Sequence, residues 1–205
     1  MSKISLLLAT TNKGKIKEFK NYLKRLPLEI TSLAEFKIGE PFPEEGKTFL
    51  ENARGKSLYY SQFFNHLTLA EDSGLEIECL EGKPGVLSAR FAGSQATDEE
   101  NIQKVLEAMR GIPLEKRKAR FVSCMVISER GEIIKEIQEG VEGLITFEKR
   151  GEFGFGYDPI FLYPPLGKTF AELRPEEKNR VSHRGLALKK LKEFLSENYF
   201  FSRNF

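Results

Sequence analysis

Ile4-Ser5-Leu6-Leu7-Leu8-Ala9 is short, almost continuously apolar, and followed at once by a polar loop and a helical pattern. That succession constrains the chain most. A strand with no polar face is buried on both sides, as in a mostly parallel sheet, and such a sheet needs helices to cover it. The loop is Thr10-Thr11-Asn12-Lys13-Gly14-Lys15, after which Ile16, Phe19, Leu23 and Leu26 recur at helical spacing up to Pro27. Thr11 or Asn12 can cap this helix. Hydroxyls, an amide, a glycine, lysines and free N–H groups thus gather at a positive helix end, where phosphate binds well. The glycine–lysine spacing is not that of a Walker loop. An ordinary capped helix with solvated lysines would read the same way.

A second apolar run, Leu67-Thr68-Leu69-Ala70, leads into the adjacent acids Glu71 and Asp72. Ser73-Gly74 then reads as a small turn, followed by a further strand-like stretch from Leu75 to Leu80. Adjacent carboxylates repel unless a cation or a proton separates them. At the end of a buried strand, where open α/β sheets place their sites, they suit a metal or acid/base centre. The alternative is a solvated Asp-Ser-Gly turn.

The remaining chain supplies both scaffold and chemistry. Leu28-Glu29-Ile30 is a candidate strand, and Pro41, Pro43 and Gly46 mark a loop carrying Glu44 and Glu45. Thr48-Phe49-Leu50-Glu51 is a capping box that opens a helix running to about Asn65. Asn52 and Lys56 share one face of it, beside an apolar stripe of Phe49, Ala53 and Tyr60. A second capping box, Thr97 to Glu100, starts a helix with Ile102, Val105, Leu106 and Met109 on its apolar side. Ala119–Ser128 and Glu132–Gln138 form a hairpin turning at Glu129-Arg130-Gly131, and Val141–Phe147 adds a third strand. In Gly154-Phe155-Gly156-Tyr157-Asp158-Pro159, glycines let the backbone approach a ligand, an aromatic face can stack on a base, and an acid can accept from a ring N–H. Pro175-Glu176-Glu177-Lys178 suits the first turn of a short helix. Ser182-His183-Arg184 opens a last helix with Leu188, Leu191 and Leu195 on its apolar side, and the aromatic tail is expected to dock on the body or on a second subunit.

The 205 residues allow one sizeable core or two small lobes. With 32 basic and 30 acidic side chains, the net charge of +2 provides no general nucleic-acid surface. Cys79 and Cys124 lie in apolar stretches, too few and too far apart for a zinc site, and read as small buried hydrophobes. No stretch is apolar enough to span a bilayer, and the start shows no signal-peptide pattern, so a cytoplasmic location is expected.

Taken together and in order, these motifs make the chain similar to the inosine/xanthosine triphosphate pyrophosphatase family. The resemblance runs from Ala9–Lys15 through Glu45–Ala53, Glu71–Leu75, Pro84–Phe91 and Gly154–Pro159 to Ser182–Arg184. It departs twice: Glu71 stands where the family usually has aspartate, and Phe153 where its aromatic loop usually opens with glycine.

The resemblance implies a single α/β pyrophosphatase domain over residues 1–205: an elongated mixed sheet flanked by helices, with two lobes and a central nucleotide cleft. It implies Mg²⁺ held by Glu45 and Asp72, with Asp72, assisted by Glu71, orienting or deprotonating the water that attacks the α-phosphorus. Thr10, Thr11, Asn12, Lys13, Gly14 and Lys15 would cradle phosphates, Lys56 and Lys178 would neutralise charge, and Ser73 would add a hydroxyl. Phe155, within the loop that includes Gly156 and Tyr157, would stack on the purine. Asp158, His183 and Arg184 would read its edge. A 6-oxo purine presents the reverse donor–acceptor pattern to adenine, so a site built for it rejects ATP by about 10⁴-fold. The partners implied are a purine nucleoside triphosphate and a second copy of the chain, with no nucleic acid and no membrane. Two rival readings are a pyrophosphatase for pyrimidine or modified nucleotides and a non-catalytic nucleotide- or RNA-binding module.

Overall fold

The computed structural model describes residues 3–36 and 40–201. Its elements in chain order are β1 (Ile4–Leu8), α1 (Lys13–Leu23), β2 (Leu28–Ser32), α2 (Phe49–Ser61), β3 (Leu67–Ile77), α3 (Asp98–Ala108), β4 (Lys118–Glu129), β5 (Glu132–Ile145), β6 (Phe161–Tyr163), β7 (Lys168–Thr169), α4 (Pro175–Val181) and α5 (His183–Leu195). Seven strands form one sheet in the order β2-β1-β3-β4-β5-β6-β7. β1 pairs in parallel with β2 and β3, whereas β6 pairs antiparallel with β5 and β7. The fold is therefore α/β with a mixed sheet flanked by helices.

Two compact units emerge, and β3, β4, β5 and α5 each run from one into the other. The first comprises residues 1–72, 124–138 and 187–205. Its core joins Leu6 and Leu8 of β1, Phe19 and Leu23 of α1, Leu67 and Leu69 of β3, and Leu188, Leu191 and Leu195 of α5. A second apolar group sets Leu7, Ala9 and Ala70 against Tyr60 of α2. β1 is thus buried on both faces, as its unbroken apolar run requires. Asn12 caps α1 by accepting from the Lys15 N–H. Tyr199 and Phe200 pack on this core, so these aromatics of the tail dock on the body; Phe205 lies outside the described residues.

The second unit comprises residues 73–123 and 139–186. Phe121 packs against Phe161 at 4.5 Å and lies nearly parallel to Phe170, with Ile102, Val105 and Met109 of α3 in the same core. The capping box of α3 forms as expected between Thr97 and Glu100. Arg117 is 2% exposed, yet among the described residues no carboxylate pairs with it. Its guanidinium donates instead to the carbonyls of Ile145, Met109 and Thr146 at 2.7–2.8 Å, tying the end of α3 to the end of β5, and Phe147 covers it.

Several sequence expectations are corrected. Ser73-Gly74 is not a turn: both residues lie inside β3, an eleven-residue strand. The apolar residues on either side belong to one buried strand, and glycine leaves its extended backbone free to be followed by Leu75, whose N–H is held by Ser88. The second arm of the hairpin and the expected third strand are likewise a single strand, β5, entered through Arg130-Gly131, both at positive φ as a two-residue hairpin turn demands. β5 runs unbroken through Gly140, where a Cβ would collide with the Arg120 side chain. α2 stops at Ser61 rather than near Asn65. Cys124 is buried as expected, but Cys79 is exposed, because β3 ends at Ile77 and Glu78–Leu80 form a 3₁₀ turn.

Replacing Arg117 with alanine is expected to strand three buried carbonyls and to lower unfolding stability by about 3 kcal/mol, measured by urea denaturation. Lysine at 117 should recover little of it, since one ammonium lacks the planar fork of donors.

Candidate active site

In the first unit the chemistry converges on β3. Parallel pairing with β1, extended by the Ala9 N–H donating to the Leu69 carbonyl at 2.8 Å, carries the loop of residues 10–15 toward the end of the run at Ala70. Glu71 and Asp72 follow, 2% and 7% exposed. Neighbours on a strand point to opposite faces, so each acid finds a different cation. Lys15, from the first turn of α1, reaches Glu71 Oε2 at 3.0 Å. Lys56, from the inner face of α2, lies 3.9 Å from Asp72 Oδ1 and 3.4 Å from the Glu71 carbonyl oxygen. Asn52, one turn earlier, donates to Asp72 Oδ2 at 3.0 Å while its own oxygen accepts from the Gly46 N–H at 2.8 Å. The shared face of Asn52 and Lys56 read from the sequence is thus buried and turned onto the acids.

Burial raises the pKa of Asp72, with Glu44 adding to the effect; Lys56, Lys15 and the Asn52 hydrogen bond oppose it. A carboxylate whose pKa is raised is a stronger base than a solvated one. Thr10, Gly14 and Lys15 are half-buried, whereas Thr11, Asn12 and Lys13 are exposed. The Thr10 hydroxyl accepts from the Asn12 N–H and shapes the loop.

Glu44 is the functional candidate that sequence reasoning passed over. Its carboxylate is 2.8 Å from Lys56 Nζ, the same ammonium that approaches Asp72. Glu45, the acid chosen from the sequence, has an exposed side chain. The two stand side by side in an irregular loop with no periodicity to say which faces inward. Oxygen donors from Glu44, Asp72 and the Glu71 carbonyl all surround one cationic nitrogen, so this chain's residues fit a hard divalent cation.

The second unit gathers the other predicted residues. Asp158, at the start of a 3₁₀ turn, is buried with Lys178 of α4 in an ion pair of 2.5 Å. The same oxygen, Oδ2, accepts from the Phe155 N–H at 2.9 Å, so Asp158 fixes the aromatic loop. A Cβ at Gly154 would fall 2.0 Å from that oxygen, and its φ is +79°, which is why glycine stands there. Phe155 is half-buried, with the Lys178 ammonium 5.0 Å and the Arg184 guanidinium 5.4 Å from its ring centre. Arg184 also donates to the Ser73 hydroxyl at 2.8 Å. His183 is buried and stacks on Phe121, centroids 4.6 Å apart.

Lys178 therefore stands with the aromatic loop. Gly156 and Tyr157 act through the backbone and the core: the Gly156 N–H donates to Asp98, and the buried Tyr157 hydroxyl donates to the Ser88 carbonyl at 2.8 Å. Burial, then Asp98, raises the Tyr157 pKa. Asp98 reads from the sequence only as part of a capping box, and Ser88 only as one residue of the Pro84–Phe91 motif.

Comparison with known proteins follows this geometry. The model of the Ham1 family matches residues 6–194. A protein of Bacillus subtilis named dITP/XTP pyrophosphatase is 48% identical over 189 residues, 92% of this chain and 96% of its own length. A protein of the same name from Desulforamulus reducens is 45% identical over 196 residues, covering 96% and 98%. Among solved structures, a HAM1 protein from Coxiella burnetii superposes with a TM-score of 0.85 at 40% identity, covering 95% of this chain and 99% of that one. A nucleoside-triphosphatase, dITP/XTP pyrophosphatase, from Mycobacterium abscessus gives 0.74 at 38% identity, covering 92% and 98%. With a family match over residues 6–194, nearly its whole length, the chain belongs to the Ham1 family.

Proposed function

We propose that this protein hydrolyses non-standard purine nucleoside triphosphates, dITP, XTP and ITP, to the monophosphate and pyrophosphate. The observation that carries the reading is the pair of consecutive buried acids, each set against its own lysine, in a chain whose near-full-length relatives are named dITP/XTP pyrophosphatase.

The residues divide the work by chemistry. Thr10 to Lys15 and Lys56 supply N–H groups and positive charge for phosphate oxygens. Asp72 accepts a proton from the attacking water, and Glu71 fixes Lys15. Glu44 and Asp72, with the Glu71 carbonyl, would hold a divalent cation, Mg²⁺ by the family resemblance, and Glu45 remains available to the same loop. When bound, that ion offsets charge on the phosphates and their leaving group. Phe155 offers a stacking face, Arg184 and His183 face a purine edge, and Asp158 with Lys178 sets the loop that carries Phe155. The same resemblance supports a cytoplasmic homodimer; among the described residues no helix is long and apolar enough to cross a membrane.

Pyrophosphate release from ITP, XTP, dITP, GTP, ATP and UTP, with and without Mg²⁺, tests the proposal. ITP, dITP and XTP should exceed ATP in kcat/KM by about 10²-fold or more. Preference for UTP would replace this reading with a pyrimidine-directed one. Asp72→Asn is expected to lower kcat by about 10³-fold, while the melting temperature holds or rises because a buried charge is removed. Asp158→Asn, which weakens the seat of Lys178 and the Phe155 loop, should raise KM for dITP about 10-fold. Inhibition by inorganic tripolyphosphate, which has no base, should stay unchanged in that variant.

A further inference from the structure

The surroundings of the Lys56 ammonium carry an inference that rests on the reading above. It has Glu44 Oε1 at 2.8 Å, the Glu71 carbonyl oxygen at 3.4 Å and Asp72 Oδ1 at 3.9 Å. Two carboxylates and a backbone carbonyl are the donor set of a small hard cation. The lysine is mostly buried and fills that set itself. Glu71 cannot complete an alternative cage on its own carboxylate, because Lys15 holds it at 3.0 Å. Among the described residues, no three side chains of His, Cys, Asp or Glu are grouped to hold a metal ion.

We propose that Lys56 is a gate for the divalent cation. Without nucleotide, its ammonium stands in for the metal. A divalent ion and an ammonium repel strongly at such separations in a partly desolvated place, so the two exclude each other. An arriving triphosphate offers phosphate oxygens to the ammonium, and the flexible lysine stem lets it transfer to them. Glu44, Asp72 and the Glu71 carbonyl are then released to the cation. Metal and triphosphate therefore bind with positive coupling, each tightening the other by the same factor. The device keeps free metal out of the empty protein and brings the cation in with its substrate. Lys56 thus acts on the metal through the oxygens it vacates and on the substrate by direct contact.

The test uses the full chain with Mn²⁺ as probe, counting free ion by electron paramagnetic resonance. Lys56→Met and Lys56→Gln should each bind Mn²⁺ without nucleotide about 10-fold or more tightly than wild type. In wild type, the α,β-methylene analogue of dITP should tighten Mn²⁺ on the protein by a similar factor, and in the variants by much less. Lys20→Met, which removes an exposed charge paired with Glu35, should leave Mn²⁺ affinity unchanged. Unaltered or weaker affinity in both Lys56 variants, or an equal gain in Lys20→Met, overturns the gate. So does a wild type that shows no coupling with the analogue, a result that needs no variant to fold. If Mn²⁺ binds with the analogue but Lys56 has no influence, only the gate fails. If Mn²⁺ does not bind even then, the metal reading fails and takes the gate with it.

Discussion

Two consecutive carboxylates buried in the middle of a strand are the constraint on which the first unit depends. Alternation along β3 sends Glu71 and Asp72 to opposite faces, which relieves their mutual repulsion but doubles the demand for cations. One lysine cannot serve both. The first turn of α1 supplies Lys15 to one and the inner face of α2 supplies Lys56 to the other. The placement of those helices follows from this demand as much as from their apolar stripes. An attraction of about 4 kcal/mol between unit charges 4 Å apart, at the effective dielectric of a partly exposed site, is comparable with the cost of burying them. The arrangement is balanced rather than stable, and Asp72 shows it: burial pushes its pKa up even with two lysines and an amide opposing.

The second unit solves a similar problem differently. Asp158 is also buried, yet its single oxygen Oδ2 both pairs with Lys178 and takes the Phe155 N–H. A charge is thus converted into backbone order, with Gly154 leaving the room required. Arg117 does the same with the opposite sign, trading its charge for carbonyls at two element ends. Neither residue needs to touch a ligand to matter for one.

Much of this was legible in the sequence because the signals were local. The unbroken apolar run of β1, the Thr97–Glu100 box and the leucine stripe of α5 each encode an element by itself. The errors arose where a local signal was overruled by neighbours. Ser73-Gly74 has turn composition, but strand pairing before it and the Ser88 hydroxyl on Leu75 hold it extended. Residues 139 and 140 fall between two strand patterns, yet β5 runs through them unbroken. For the site, residue types were readable and pairings were not. Nothing in Glu44-Glu45 marks which acid turns to Lys56, and nothing in Lys178 says that its partner is Asp158, twenty residues away.

Among the described residues, four cations suited to a ligand already have a partner within their own unit: Lys15 with Glu71, Lys56 with Glu44 and Asp72, Lys178 with Asp158, Arg184 with Ser73. Under the proposed function, ligand binding at these groups would be exchange, not capture. A molecule that draws one cation from its partner leaves a buried carboxylate exposed to the full cost of being unpaired unless it supplies a replacement. Phosphates that arrive with a cation can do so, because the cation satisfies the acids as the phosphates take the lysines. Phosphates alone, or a cation alone, satisfy only one side of the exchange. Discrimination at such a site is built from what an incomplete ligand leaves unpaired, more than from the sum of contacts that a correct one makes.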